Sequence, residues 1–124
     1  MGQIQKHILI AEDDRSTASA LAHKFENGGF NVTVCYDGQA ALDALAGEKY
    51  DVIVLDLLMP NKDGFSVLEE KASTQNKDTP AYVLTNLAGD DKASKARDLG
   101  AKDVFFKAEM QIKEVVQKIC EDLH

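Results

Sequence analysis

The residues able to do chemistry in this chain stand at the ends of apolar runs. Val52 to Leu55 lead straight into one carboxylate, Asp56. His7 to Ala11 lead into three acids, Glu12, Asp13 and Asp14. Ala81 to Leu84 end on Thr85, and Val104, Phe105 and Phe106 end on Lys107. Runs of this kind read as strands buried on both faces, the habit of parallel sheets. Parallel strands point one way, so their tips gather at one edge, where open α/β sheets hold their sites. Carboxylates crowded at one edge repel each other. A hard divalent cation relieves that repulsion, and Mg2+ prefers carboxylate oxygen and water. A lysine beside them can hold a phosphate oxygen as a point charge, and a threonine adds a hydroxyl donor. Metal, cation and hydroxyl would together cradle a tetrahedral dianion on, or approaching, Asp56.

Each member alone has a plainer reading. The acids could be a solvated strand end, Lys107 a surface lysine, and Thr85 a helix cap or strand filler. His23 reads as a helix-surface histidine and His124 as a frayed end. The joint arrangement is what points to a site.

The elements that must position these residues alternate strand and helix. After the first acids, Ser16 or Thr17 can cap a helix. Ala18, Leu21, Ala22 and Phe25 give it an apolar stripe, and Asn27-Gly28-Gly29 stops it. Residues 31–36 read as a second strand. Asp37-Gly38 turns the chain into a short helix marked by Ala41, Leu42 and Leu45 and ending near Gly47. After Asp56, Met59-Pro60 and Asp63-Gly64 are turn punctuation before a third helix carrying Phe65, Leu68 and Ala72. Residues 86–91 form a polar loop. The helix expected over 92–99 has only Ala93, Ala96 and Leu99 to bury, which predicts loose packing. The last helix, expected from about Glu109, carries Ile112, Val115, Val116, Ile119 and Leu123 at helical period. Five β-α units imply a parallel sheet with helices on both faces and right-handed crossovers.

The 124 residues suffice for one domain with a real core, expected to span 1–124, and are too few for two of ordinary size. A net charge of -7 without a basic stripe argues against nucleic acid and against an anionic membrane surface. Cys35 and Cys120, without CxxC or Cys/His clustering, read as reduced core residues. The N-terminus lacks the apolar core of a signal peptide, and Lys6 stands where a myristoylation motif at Gly2 wants Ser or Thr. No apolar run approaches the ~18 residues of a membrane span. A cytoplasmic protein is expected.

Taken together, I-L-I-A-E-D-D at 8–14, L-D-L-L-M-P-N-K-D-G at 55–64, V-L-T at 83–85, G-A-K-D at 100–103 and Lys107 resemble the receiver domain of two-component response regulators. The resemblance covers nearly the whole chain. It implies a doubly wound, flavodoxin-like five-stranded parallel sheet in order 2-1-3-4-5 with five helices. It implies a phosphoacceptor signalling module rather than an enzyme. Asp56 matches the phosphoacceptor, Asp13 the direct Mg2+ ligand, and Glu12 the acid that reaches the metal through water. The backbone carbonyl of Leu58 matches the third protein ligand. Lys107 matches the phosphoryl-binding lysine and Thr85 the switch hydroxyl, whereas Asp14 falls one past the acid pair. The implied partners are a sensor histidine kinase or histidine phosphotransfer protein, and an output partner on the face of helix four, strand five and helix five. A phosphorylation-dependent homodimer fits the same family, as does either a stand-alone or an excised domain.

Two positions depart from the family. Ala108 stands where proline usually follows the lysine, and a trans Lys107–Ala108 bond is expected, because a cis bond before a non-proline residue costs ~2.5–4 kcal/mol. Val104 stands where an aromatic often precedes the lysine by three. Valine is short and stiff at χ1 and cannot swing as an aromatic would. The period of two sends Phe105 to the other face. The switch is therefore expected to run through residues 86–91 and the helix at 92–99.

Overall fold

Unbroken apolar runs need neighbours on both faces, and the strands of this chain have them. The computed structural model describes residues 5–87 and 89–123. The Gly2 reading, Ala88 of the expected polar loop, and His124 lie outside those residues. The strands are β1 (His7–Ala11), β2 (Asn31–Cys35), β3 (Val52–Leu55), β4 (Ala81–Thr85) and β5 (Ala101–Phe106). They alternate with α1 (Arg15–Asn27), α2 (Gly38–Gly47), α3 (Gly64–Lys71), α4 (Asp90–Asp98) and α5 (Ile112–Asp122). The sheet runs β2-β1-β3-β4-β5, parallel throughout. This is the doubly wound, flavodoxin-like order that the motifs imply.

Alternate residues of each strand feed two cores. Leu9, Ala11, Ile53, Leu55, Ala81, Val83 and Val104 meet α2, α3 and α4. Ile8, Ile10, Val52, Val54, Tyr82, Leu84 and Phe105 meet Leu21 and Phe25 of α1 and Val115 and Ile119 of α5. The period of two along a strand explains why no residue between Val52 and Leu55 is polar.

Several boundaries differ from the sequence reading. The N-cap of α1 is Asp14, not Ser16 or Thr17: its Oδ1 accepts from the Ser16 N–H at 2.9 Å and the Thr17 N–H at 3.3 Å. A cap accepts from amides two and three residues on, so the two hydroxyl residues lie inside the first turn. In α3, Val67 and Leu68 are buried and Ala72 is exposed. Lys71 is buried in the last turn, its Nζ donating to the Lys77 carbonyl at 2.7 Å, and burial holds its pKa below the usual lysine range. The last helix begins at Ile112, with Glu114 Oε1 accepting from the Gln111 N–H; Glu109 and Met110 instead form turns on the Phe106 carbonyl.

β5 begins three residues before the run Val104 to Phe106. Ala81 pairs with Ala101 but Tyr82 pairs with Asp103, so Lys102 is the extra residue of a bulge. Ala101 and Val104, three apart, thus share one face, which a regular strand forbids. The bulge sets the parity of Val104, Phe105 and Phe106 and hence the side on which Lys107 leaves the strand.

The connections away from the acid-bearing edge are held by a buried amide. Asn76 is fully buried. Its Nδ2 donates to the carbonyls of Leu45 and Glu48 at 2.7 Å each, and its Oδ1 accepts from the Tyr50 N–H at 2.7 Å. It ties the end of α2 and the start of β3 to the segment before β4. Asn76→Ala leaves the buried Leu45 carbonyl and Tyr50 amide unpaired and strips the part-buried Glu48 carbonyl of its partner, and is expected to cost about 3 kcal/mol of stability. Exposed Gln75→Ala should cost under about 0.5 kcal/mol. Urea unfolding of the two variants checks the contrast.

Candidate functional site

The strand tips meet as the parallel sheet requires. Glu12 and Asp56 follow β1 and β3, whose last residues, Ala11 and Leu55, lie adjacent in register. Lys107 follows Phe106, the last residue of β5. By the two-residue alternation Glu12, Asp56 and Lys107 leave their strands toward the α1 and α5 side. Thr85 follows Leu84 and takes the opposite face, beside its register partner Phe106.

Lys107 bridges the two buried acids. Its Nζ lies 2.5 Å from Glu12 Oε1 and 3.0 Å from Asp56 Oδ2. The other oxygen of Asp56 accepts from the Leu57 N–H at 2.7 Å and the Leu58 N–H at 3.3 Å. Glu12 Oε2 accepts from the Asp14 N–H at 3.1 Å. Glu12 is 2% exposed and Asp56 6%, whereas Asp13 is exposed. Burial pushes the Glu12 carboxyl up to about 7, and its bonds to Lys107 and the Asp14 amide oppose that rise without cancelling it. Burial pulls Lys107 down, but its bonds to Glu12 and Asp56 outweigh this and raise it. Burial favours the neutral form of each partner; the ammonium has two carboxylates to hold it charged, whereas Glu12 has one ammonium that it shares.

Glu12, Asp13 and Asp56 each offer a carboxylate oxygen, all within 4.8 Å of one another. Three formal negative charges meet one positive charge there, and an oxygen-only donor set of this size suits a hard divalent cation. The site therefore brings together Glu12, Asp13, Asp56 and Lys107 as the sequence predicts. Thr85 is fully buried at the neighbouring tip. Its Oγ1 accepts from the Leu87 N–H at 3.1 Å and its carbonyl from the Lys107 N–H at 2.9 Å. Leu58, whose carbonyl the resemblance implicates, stands in the loop after β3 and is 63% exposed. No cis peptide occurs among the described residues, so Lys107–Ala108 is trans and the lysine still reaches Asp56.

The sequence reading overlooked the residues that shape the loop after β3. Two Asp-Gly pairs, Asp37-Gly38 and Asp63-Gly64, read in the sequence only as turns. Both aspartates are N-caps, accepting from Ala40 and Ser66 amides. Both glycines allow close backbone approach. A Cβ on Gly64 would lie 2.3 Å from the Asp56 carbonyl oxygen, and one on Gly38 would lie 2.0 Å from the Lys62 carbonyl oxygen. The repeated dipeptide ahead of a helix was the available signal.

Fold and site together define a flavodoxin-like domain organised around an acidic, lysine-bridged sheet edge. A family model of the response regulator receiver domain matches residues 8–120, and the chain belongs to that family. The transcriptional regulatory protein CpxR of Escherichia coli (strain K12) is 39% identical over 100 residues, which cover 81% of this chain and 42% of CpxR. The response regulator MprA of Mycolicibacterium vanbaalenii is 35% identical over 100 residues, 81% of this chain and 43% of MprA. The chain thus spans less than half the length of these curated relatives. Among solved structures, the receiver domain of Francisella response regulator 1452 is similar with a TM-score of 0.86 and 32% identity, over 96% of this chain and 97% of that one. A CheY-like receiver domain from Methanospirillum hungatei shares the fold with a TM-score of 0.89 at 21% identity, over 97% of this chain and 94% of that one. No helix among the described residues is long and apolar enough to cross a membrane.

The contact at Gly64 makes a sharp test of how the site is built. Gly64→Ala must push the backbone of Asp56 and Leu57 aside, a strain expected to cost about 1–3 kcal/mol. Gly47, at the end of α2, has nothing within 4 Å of an added Cβ. Gly47→Ala should instead stabilise by about 0.4–1 kcal/mol. Thermal unfolding of both variants reads the opposite signs.

Proposed function

We propose that this chain is a phosphoacceptor receiver domain, one domain over residues 1–124, in a two-component system. It takes a phosphoryl group from a phosphohistidine donor onto Asp56 with Mg2+ and switches a protein-binding surface. The observation that carries this reading is the setting of Asp56. It is a buried carboxylate with one oxygen fixed by two backbone amides and the other against a lysine, in a cluster with two further acids.

In the transfer, an Asp56 oxygen attacks phosphorus. A P–O bond forms, the P–N bond to the donor imidazole breaks, and its electron pair stays on the nitrogen, which takes up a proton. Little covalent help is needed; positioning and charge stabilisation suffice. Lys107, already at Asp56 Oδ2, passes its charge to the incoming phosphoryl oxygens. The amides of Leu57 and Leu58 keep the acceptor carboxylate oriented. A bound Mg2+, held by Asp13, Asp56 and the Leu58 carbonyl and through water by Glu12, would offset the charge of acids and phosphoryl group. Thr85, whose Oγ1 accepts from the Leu87 amide, moves to donate its hydroxyl hydrogen to the phosphoryl group.

A phosphatase working through a phospho-aspartate needs a second acid placed for proton transfer to its substrate. Leu57 and Leu58 follow Asp56 instead, which supports a signalling module with slow self-dephosphorylation. The donor is a sensor histidine kinase or histidine phosphotransfer protein. The acidic net charge supports a protein as the direct output partner. The proposed output face is α4, β5 and α5. Helix α4 buries only Ala93 and Ala96, and its cap, Gly89, supplies no side-chain bond. A helix so held is readily shifted by a small differential contact energy.

Acetyl phosphate with Mg2+ should add one phosphoryl group by intact mass, and Asp56→Asn should abolish it. Full labelling of that variant would reject Asp56 as acceptor. In the labelled wild type, amide exchange should change most from Thr85 through Leu99; a change confined to residues 56–65 would reject the proposed route. Asp13→Asn should weaken Mg2+ binding more than Glu12→Gln, because a direct ligand is lost rather than a water-mediated one. Mg2+ titrations rank the two.

A further inference from the structure

The loop Leu57–Asp63 supplies the two amides that hold Asp56 Oδ1. Its near end is anchored locally: the Gly64 N–H donates to the Leu57 carbonyl at 2.9 Å, and Met59 is buried in the core on the α2 and α3 side. Its far end is held from another β-α unit. Asn61 Nδ2 donates to Asp37 Oδ2 at 3.1 Å. The Gly38 N–H points at the Pro60 carbonyl at 3.4 Å, and the Lys62 N–H bonds the same carbonyl at 2.8 Å. Asn61 has φ 68, among the described residues the one non-glycine position with positive φ. Asparagine tolerates this left-handed backbone better than most residues, at a cost that the surrounding contacts must offset.

Asp37 does two jobs with two oxygens. Oδ1 accepts from the Ala40 N–H at 2.7 Å and caps α2, while Oδ2 takes the Asn61 amide. The start of α2 is pressed so closely on Lys62 that only glycine fits at position 38. Among the described residues, no hydrogen bond joins the side chain of Asp37 or Asn61 to Asp56. They fix the turn whose other end presents the Leu57 and Leu58 amides to the acceptor.

We infer that Asp37 and Asn61 form a brace that positions the β3–α3 loop for metal and phosphoryl binding, so that the β2–α2 turn is a working part of the site. The inference rests on the proposed Mg2+ site at Glu12, Asp13, Asp56 and the Leu58 carbonyl. Both are positioning residues. With the brace intact, the loop is ordered before the cation arrives. Without it, binding must order the loop, and affinity falls by the free energy of that ordering.

Two substitutions remove the brace and spare the rest. Asp37→Ser keeps an oxygen able to cap α2 but too short to reach Asn61. Asn61→Gly keeps the left-handed turn accessible and removes the side chain. Mg2+ alone is titrated into the wild type, both single variants, the double variant and Asp13→Asn, followed by calorimetry and by the amide shifts of Leu57 and Leu58. Each brace variant should bind Mg2+ about tenfold more weakly, on the scale of lost outer-shell partners. The double variant should lose no more than either single, because the two residues act through one bond. Asp43→Ser, on the exposed face of α2 where Asp43 meets only Gln39 among its side-chain hydrogen bonds, should bind as the wild type does. Unchanged affinity in both brace variants, or losses that simply add, would overturn the brace while leaving the site standing if Asp13→Asn is weakened. Equal binding by wild type and Asp13→Asn would overturn the site and the brace with it.

Discussion

One ammonium shared by two buried carboxylates is the constraint on which this structure turns. Glu12 and Asp56 are held out of water at adjacent strand tips, and Lys107 reaches both from β5. Stripping one partner from a buried charge group is costly, on the order of 3–5 kcal/mol, because the remaining charge has no water to return to. The arrangement still leaves negative charge in excess. That excess is the charge on which the proposed cation would act. The same three side chains that carry this burden also form the proposed site.

Holding that charge group demands a rigid frame, and the frame is made largely of backbone. The carboxylate of Asp56 is oriented by amides of its own loop, and that loop is pinned by the first residues of α2 and α3. Glycines 38 and 64 matter because backbone must pass within van der Waals contact of backbone there. Opposite the site, Asn76 performs a similar service for the other set of connections. The sheet therefore carries its chemistry on one edge and its polar bracing on both.

The side of the sheet bearing α4 is built differently. Thr85 and Phe106 sit side by side on it, and Phe106 is only half-buried against the core. Val104, on the same face, is buried and has no room or length for a large swing. Helix α4 is tethered by surface contacts, Arg97 to Asp103 at 3.2 Å and Lys95 over the Phe65 ring at 4.4 Å, rather than by large apolar side chains. Exposed pairs of this kind contribute little. Helix α4, through which the proposed signal would leave the site, buries only two alanines, as expected of elements that move.

Much of this was legible in one dimension. Four-residue apolar runs ending in Asp56 or in the Glu12-Asp13 pair, alternating with helical stripes, announce buried parallel strands and a polar edge, because a strand between two helix layers is buried on both faces. Helix stripes in α1, α2 and α5 were readable for the same reason of periodicity. Long-range placement was not readable. Sequence could put Lys107 at a strand tip, but only the Lys102 bulge in β5 decides the parity with which it turns toward Asp56. Sequence marked Asp37-Gly38 as a turn, but not that the turn would lean on Asn61 and Lys62, residues of another unit. Composition and periodicity by themselves determined the class of fold and the residues available for chemistry, since both follow from local burial. The tertiary structure alone decided which of those residues touch, because register, bulges and loop docking depend on contacts between segments far apart in the chain.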